Sequence, residues 1–265
     1  MKSIYKYVLL FLFVSVSYSS YSQLTAISQS GGIGKLWMMF GYNRAYFFPS
    51  DIRFKGEGYD FTISKAKAND DWQFSNADHW DKEIPQFTYR IGYFFNSEEM
   101  LGLEASYNWV NYDLPLNAKV KVKGTIHDSL VNGEVYPIGD FLRYRHTNGS
   151  GYAELKVVKG FLIYGNHDYS QMFFALAKAG GGLAITRTGV TLFGEKQQND
   201  FNLSGFTGTL EGTIKYTYNS HWNIETGLKG DFVDYTNVLT VDTGRATHYV
   251  ISLHWIISIG FEVRL

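Results

Sequence analysis

Toward the C-terminus the chain alternates strictly between two kinds of residue. Tyr249, Ile251, Leu253, Trp255, Ile257, Ile259, Phe261, Val263 and Leu265 take every odd position, and His248, Val250, Ser252, His254, Ile256, Ser258, Gly260, Glu262 and Arg264 lie between them. A period of two puts the first set on one face of a β-strand and the second set on the other. The pattern recurs at Phe87, Tyr89, Ile91, Tyr93 and Phe95, and again at Leu101, Leu103, Ala105, Tyr107 and Trp109. It returns at Phe206, Leu210, Ile214, Tyr216 and Tyr218, and at Trp222, Ile224, Leu228 and Phe232. Three weaker segments lie at about 34–48, with Leu36, Met38, Phe40 and Tyr42 on one face, at about 151–164, and at about 172–187. In the last, Gly180, Gly181 and Gly182 blur the period, as a bulge or a point of close packing does.

These eight segments are joined by links of alternating length. Short turns are expected at 96–99, 165–168 and 218–221, and long links at 49–83, 114–150, 188–201 and 236–247. The four prolines, Pro49, Pro85, Pro115 and Pro137, fall outside strand interiors, where a missing N–H breaks no ladder. The expected fold is all-β: an eight-stranded antiparallel transmembrane β-barrel with short periplasmic turns and long extracellular loops.

Composition fits two opposite faces. Of 265 residues, 45% are hydrophobic, 17% aromatic and only 18% charged. The mean hydropathy of −0.17 is far too low for a helical membrane protein. A soluble sandwich or lipocalin-like barrel also alternates, but its polar face meets water and is rich in charge. Here the polar face is rich in Gly, Ser and Thr, and Tyr and Trp gather near strand ends as interfacial girdles do. Residues 1–22 carry Lys2 and Lys6, an apolar core from Val8 to Val16, and small Ser20 and Ser22 ahead of Gln23. That is the layout of a secretory signal peptide, leaving 23–265 as the barrel, with loop insertions at about 49–83 and 114–150.

Twenty-four basic against 25 acidic residues argue against a nucleic-acid partner, which needs a basic surface to displace phosphate counterions. With no cysteine there is no disulfide, no thiolate nucleophile and no cysteine-based metal site. If the apolar face meets lipid, the lumen receives Arg90, Glu104, Glu154, Lys156, Glu211, Lys215, Glu225, Lys229, Asp231, His254, Glu262 and Arg264. Eight strands leave room only for side chains. Acids and bases so nearly balanced are expected to pair and plug the barrel, since an unpaired buried ion is costly.

Candidate chemistry is sparse. Phosphate-cradle, zinc-protease, nucleophile-elbow and EF-hand motifs are all missing, and the seven histidines show no metal-ligand spacing, so no metal or cofactor is expected. Ser252 and His254 share one face of a strand and are within reach of each other, although that face points inward. His146, in the segment Arg143-Tyr144-Arg145-His146-Thr147-Asn148-Gly149, bears a superficial likeness to the His-x-Ser-Asn segment of lipid A 3-O-deacylases. No serine follows two residues later, and an extracellular hairpin turning at Asn148-Gly149 is the simpler reading. In the first long loop, Asp51, Arg53, Phe54, Tyr59, Asp60 and Phe61 mix aromatic and charged groups, and with Arg143 and Arg145 they are the candidate contacts for a partner or ligand, although ordered packing of such a loop over the barrel mouth is the commoner arrangement.

The block GYNRAYFFPSDIRFKGEGYDFT at 41–62, the stretch FLRYRHTNG at 141–149 and the closing GFE at 260–262 together resemble a family of outer-membrane β-barrel proteins of Bacteroidota. The resemblance implies an address and a fold and brings no activity with it. The expected function is a non-enzymatic outer-membrane barrel with a plugged lumen. Its first two extracellular loops are expected to meet outer-membrane lipid, lipopolysaccharide or a membrane-protein complex. A lipid A-modifying hydrolase or acyltransferase, and a narrow channel, are the alternatives.

Overall fold

A computed structural model describes residues 34–70, 86–96, 100–147 and 149–265. The expected signal segment, the end of the first long loop from 71 onward, residues 97–99 of the first expected short turn and Asn148 lie outside the described residues. In chain order the strands are β1 Lys35–Phe47, β2 Ser50–Gly56, β3 Tyr59–Ala66, β4 Phe87–Asn96, β5 Leu101–Trp109, β6 Tyr112–Asp113, β7 Lys119–Ile126 and β8 Ser129–Pro137. After one helical turn, α1 Ile138–Phe141, come β9 Leu142–His146, β10 Gly151–Gly165, β11 Gln171–Thr186, β12 Thr188–Leu192, β13 Glu195–Gln198, β14 Asn202–Tyr218, β15 Trp222–Leu239 and β16 Arg245–Arg264.

Eight of these strands pair as antiparallel neighbours in the order β1-β4-β5-β10-β11-β14-β15-β16. The last pairs with the first from Lys35↔Arg264 to Phe47↔Ser252, so the sheet closes into the expected eight-stranded barrel. Closure leaves no sheet edge, and every ring strand has a hydrogen-bonded neighbour on both sides. The alternating apolar residues point outward. Phe40, Ile91, Leu103, Leu155, Leu210, Leu228, Trp255 and Ile259 are all exposed, and they form the belt of a barrel whose solvent is lipid. Outer-membrane barrels keep their termini and short turns on the periplasmic side. By that rule 166–170 and 219–221 are periplasmic, and the long links are extracellular.

The long links are themselves built from strands. The sheet runs on from β16 through β2, β3 and β7 to β8. β1 and β2 are almost one strand, interrupted at Phe48 and Pro49, where the proline brings no N–H to the ladder. Phe48 N–H still donates to the Ile251 carbonyl, at 3.0 Å, and keeps the two halves aligned along β16. A second sheet has the order β13-β12-β9-β6. The hairpin expected around Asn148-Gly149 is not formed: β9 pairs with β12 of the third loop, and the chain passes Gly149, at φ +94°, to enter the barrel as β10. The fourth link is also shorter than the expected 236–247, because β15 continues to Leu239 and pairs with the start of β16 through Val238↔Ala246.

Together the two sheets make a dome over the extracellular mouth. Its core contains Phe47, Ile52, Phe54, Phe61, Ile63, Tyr112, Leu114, Val120, Val122, Leu142, Tyr144, Val190 and Val238. Phe54 stacks on Phe61 at 5.3 Å between centroids and meets Tyr144 edge-on at the same distance. The dome core runs without a break into the top of the barrel through Tyr152, Tyr235 and Val250.

Candidate functional site

The lumen has three layers. The periplasmic floor is apolar: Trp37 and Met39 of β1, Phe94 of β4, Val158 and Leu162 of β10, and Met172, Phe174 and Leu176 of β11 pack together with Met100. Gly92 makes room for Trp37, because a Cβ there would stand 2.1 Å from the indole. The Trp37 ring lies 4.2 Å from that of Phe94. Apolar residues on both faces of a strand carry no period-two contrast, so the sequence did not separate this inward set from the lipid-facing one.

Above the floor lies a knot of ion pairs. Arg90 Nη1 is 2.7 Å from Glu211 and 2.8 Å from Glu225, with Glu104 at 3.8 Å. Lys156 joins Glu104 at 2.8 Å to Glu211 at 2.9 Å. Lys178 joins Glu104 at 2.8 Å to Glu225 at 2.6 Å. Three cations and three carboxylates thus share one buried cluster. On its periplasmic side Glu262 takes Lys35 at 2.9 Å and Lys215 as a second partner. On its extracellular side Lys229 lies 2.9 Å from both Glu154 and Asp231, and Asn108 donates to Glu154 at 2.9 Å. The six acids therefore face six bases. Pairing of this density is what allows full charges to remain so far from water.

The sequence-derived lumen residues come together here with one exception. Arg264 is still paired with Lys35 in the ring, but it stands exposed at the end of β16, on the periplasmic rim. Two members were missed. Lys35 opens β1 on the face opposite Leu36, and Lys178 lies just ahead of Gly180, where the outward neighbours Ala175, Ala177 and Ala179 are too small to mark a lipid face.

The third layer joins the knot to the dome and holds two of the three catalytic candidates, Ser252 and His254. Ser252 Oγ lies 2.9 Å from His254 Nε2, and the structure adds an acid that the sequence had not assigned: Asp231 Oδ2, 3.1 Å from the same nitrogen. In a Ser-His-Asp relay the serine and the acid engage opposite ring nitrogens, so that the base can take a proton on one side while it is held on the other. Here both converge on Nε2, and Nδ1 faces Asn43 Oδ1 at 3.4 Å. All three groups are buried. The arrangement is a hydrogen-bonded strut rather than an activated nucleophile.

His146 is 1% exposed inside the dome, with Nδ1 3.1 Å from Thr188 Oγ1 and its ring enclosed by Tyr112, Tyr144 and Tyr235. Burial pushes its pKa down to about 3. It is a neutral packing residue with no serine beside it among the contacts of the described residues.

Phe54 and Phe61 are buried in the dome core and cannot meet a partner, which corrects their expected role. Tyr59 is half-buried with its hydroxyl 3.4 Å from Thr240 Oγ1. Asp51, Arg53 and Asp60 remain on the outer face, where Arg53 forms a two-point pair with Asp60 at 2.7 and 2.8 Å. Asp51 accepts the Lys65 N–H at 2.7 Å. Arg143 is exposed on β9 and Arg145 half-buried.

No protein-family model matches the chain, and no curated protein matches it in sequence. Solved structures similar to it include the outer membrane protein OprG of Pseudomonas aeruginosa, 14% identical over 89% of this chain and 99% of that one, with a TM-score of 0.36. The attachment invasion locus protein Ail of Yersinia pestis is 12% identical over 87% of this chain and 99% of that one, with a TM-score of 0.33. The N-terminal β-barrel domain of Pseudomonas aeruginosa OprF is 10% identical over 88% and 100%, also with a TM-score of 0.33. At these values the chain's own closed ring and apolar outer belt are what establish it as an outer-membrane-type β-barrel of eight strands.

Proposed function

We propose that the chain is a non-enzymatic outer-membrane protein whose barrel is a closed anchor and whose folded extracellular dome is its working surface. The observation that carries this reading is the filling of the lumen from end to end, from the Trp37 and Phe94 floor through the Arg90 knot to the Tyr152 and Tyr235 roof. A transported solute would have to displace paired charges and two apolar seals at once. A lipid A-modifying enzyme would need a nucleophile open to the outer leaflet, whereas Ser252, His254 and His146 are all buried. What remains in contact with the surroundings is the lipid belt and the outer face of the dome, which suits an accessory or interaction role with lipopolysaccharide or a membrane-protein partner.

The reading is tested with the purified full chain in planar bilayers and with lipid A from cells that have or lack the gene. No conductance above leak and an unchanged acyl and phosphate pattern are expected. Steady channel openings, or a lipid A species that depends on the gene, would overturn it.

A further inference from the structure

The sheet that continues from β16 through β2, β3 and β7 has two very different faces. Its inner face is the dome core. On its outer face the register aligns Arg245 with Lys55, and Thr247 with Arg53, Thr62 and Lys123 in successive strands. Lys119 and Lys121 continue the same face of β7, with Val120 and Val122 turned inward. Six cations therefore share this face with two acids: Asp60 is taken up by Arg53, and Asp51 by the Lys65 N–H.

The height of the patch is fixed by the strands beneath it. Thr247 and Tyr249 are consecutive outward residues of β16, so the row of Thr247, Arg53, Thr62 and Lys123 stands about 7 Å beyond Tyr249 along the strand, and Lys121, beside Ser64, falls in the next row, in register with Tyr249. Tyr249, Tyr46 and Phe48 are large, exposed aromatic residues on the outer wall. They mark the level at which the acyl layer gives way to head groups. Lys67 bridges the two zones, with Nζ 4.6 Å from the centre of the Tyr46 ring. Three strand spacings separate β16 from β7, so the cations are spread over about 14 Å of lateral surface.

We propose that this lateral face binds the phosphate groups of the outer-leaflet glycolipid, lipopolysaccharide, with Lys55, Lys121 and Lys123 as its main contacts. The argument is charge complementarity at the right depth. The cations face sideways, in register with the aromatic girdle, where phosphates of neighbouring lipid molecules lie, and not upward toward the medium. The proposal rests on the membrane placement given above. Heat-modifiable migration in SDS gels reads that placement separately from lipid binding.

The test uses the full chain refolded in mild detergent, with bis-phosphorylated lipid A, its dephosphorylated form and heparin as probes, and native mass spectrometry as the readout. Saturable binding of bis-phosphorylated lipid A is expected, stronger than that of the dephosphorylated form. The triple variant Lys55→Ser, Lys121→Ser, Lys123→Ser should bind about 100-fold more weakly, given the usual contribution of a lysine at an anionic surface. These side chains are exposed, so the variant should keep its gel shift. The control variant Lys196→Ser, on the second sheet, should bind lipid A as the native chain does. Equal binding of the two lipid forms, unchanged binding by the triple variant, or a preference for heparin over lipid A would each overturn the proposal. Loss of the gel shift by the native chain would instead count against the membrane placement.

Discussion

Arg90 shares its guanidinium with carboxylates on three other strands, and its side chain meets no solvent. Arg90→Met keeps most of the volume but leaves three carboxylates facing Lys156 and Lys178 alone. Breaking a buried pair on one side costs about 3–5 kcal/mol. Urea unfolding in detergent micelles, or the temperature at which the compact gel form is lost, should show a fall of that order. The double variant Arg90→Met, Glu225→Gln restores the balance and should recover part of the loss. A single variant as stable as the native chain would mean that the knot is not the buried, coupled cluster seen here. His146 behaves differently. Its pKa is lowered in the folded state, so between about pH 6.5 and pH 3 the unfolded chain binds more protons than the folded one. Its contribution is therefore complete above pH 6.5 and is lost as pH falls toward 3. His146→Phe should flatten that dependence for the dome, read as hydrogen exchange of the β9 amides. Tyr112, Tyr144, Tyr235 and His248 pack on the same ring and stay in place in the variant.

At the scale of the strand, the tripled glycine of β11 fits a wall drawn tightly against its neighbour. A Cβ at Gly182 would stand 1.8 Å from the Ala153 carbonyl oxygen of β10, whereas one at Gly208 on β14 meets nothing within 4 Å. Gly182→Val should cost a few kcal/mol, in the range of overpacked positions, while Gly208→Ala should be nearly neutral. Thermal loss of the gel shift separates the two, and equal effects would contradict the close approach. The strands of the ring were legible because one face of each is large and apolar. Two signals failed where that contrast fades, at the doubly apolar floor and beside the alanines of β11. The dome could have been read too. In Ser50–Gly56, Ile52 and Phe54 alternate with Asp51, Arg53 and Lys55, and in Tyr59–Ala66, Phe61 and Ile63 alternate with Asp60 and Thr62. Both are period-two signals. The mixture of aromatic and charged residues left Phe54 and Phe61 open to either a partner or packing over the barrel mouth, and it is the alternation that places them in a core.

For the molecule as a whole, the seam between β1 and β16 also sets an order of events. The dome sheet grows from the first residues of β16, where Arg245, Ala246 and Thr247 pair with β2. Its template therefore arrives with the last strand of the chain. Until that strand is in place, β2, β3, β7 and β8 have only one another to pair with, and the dome sheet has no join to the barrel wall through β16. Non-local pairings of this kind form slowly. A chain that stalls before β16 is inserted would leave the edge of β2 open over Arg53, Phe54 and Lys55, even with β2, β3, β7 and β8 paired among themselves. The vulnerable moment in the life of this protein is thus its assembly, and the surveillance it needs is on strands that have emerged but not yet found their last neighbour.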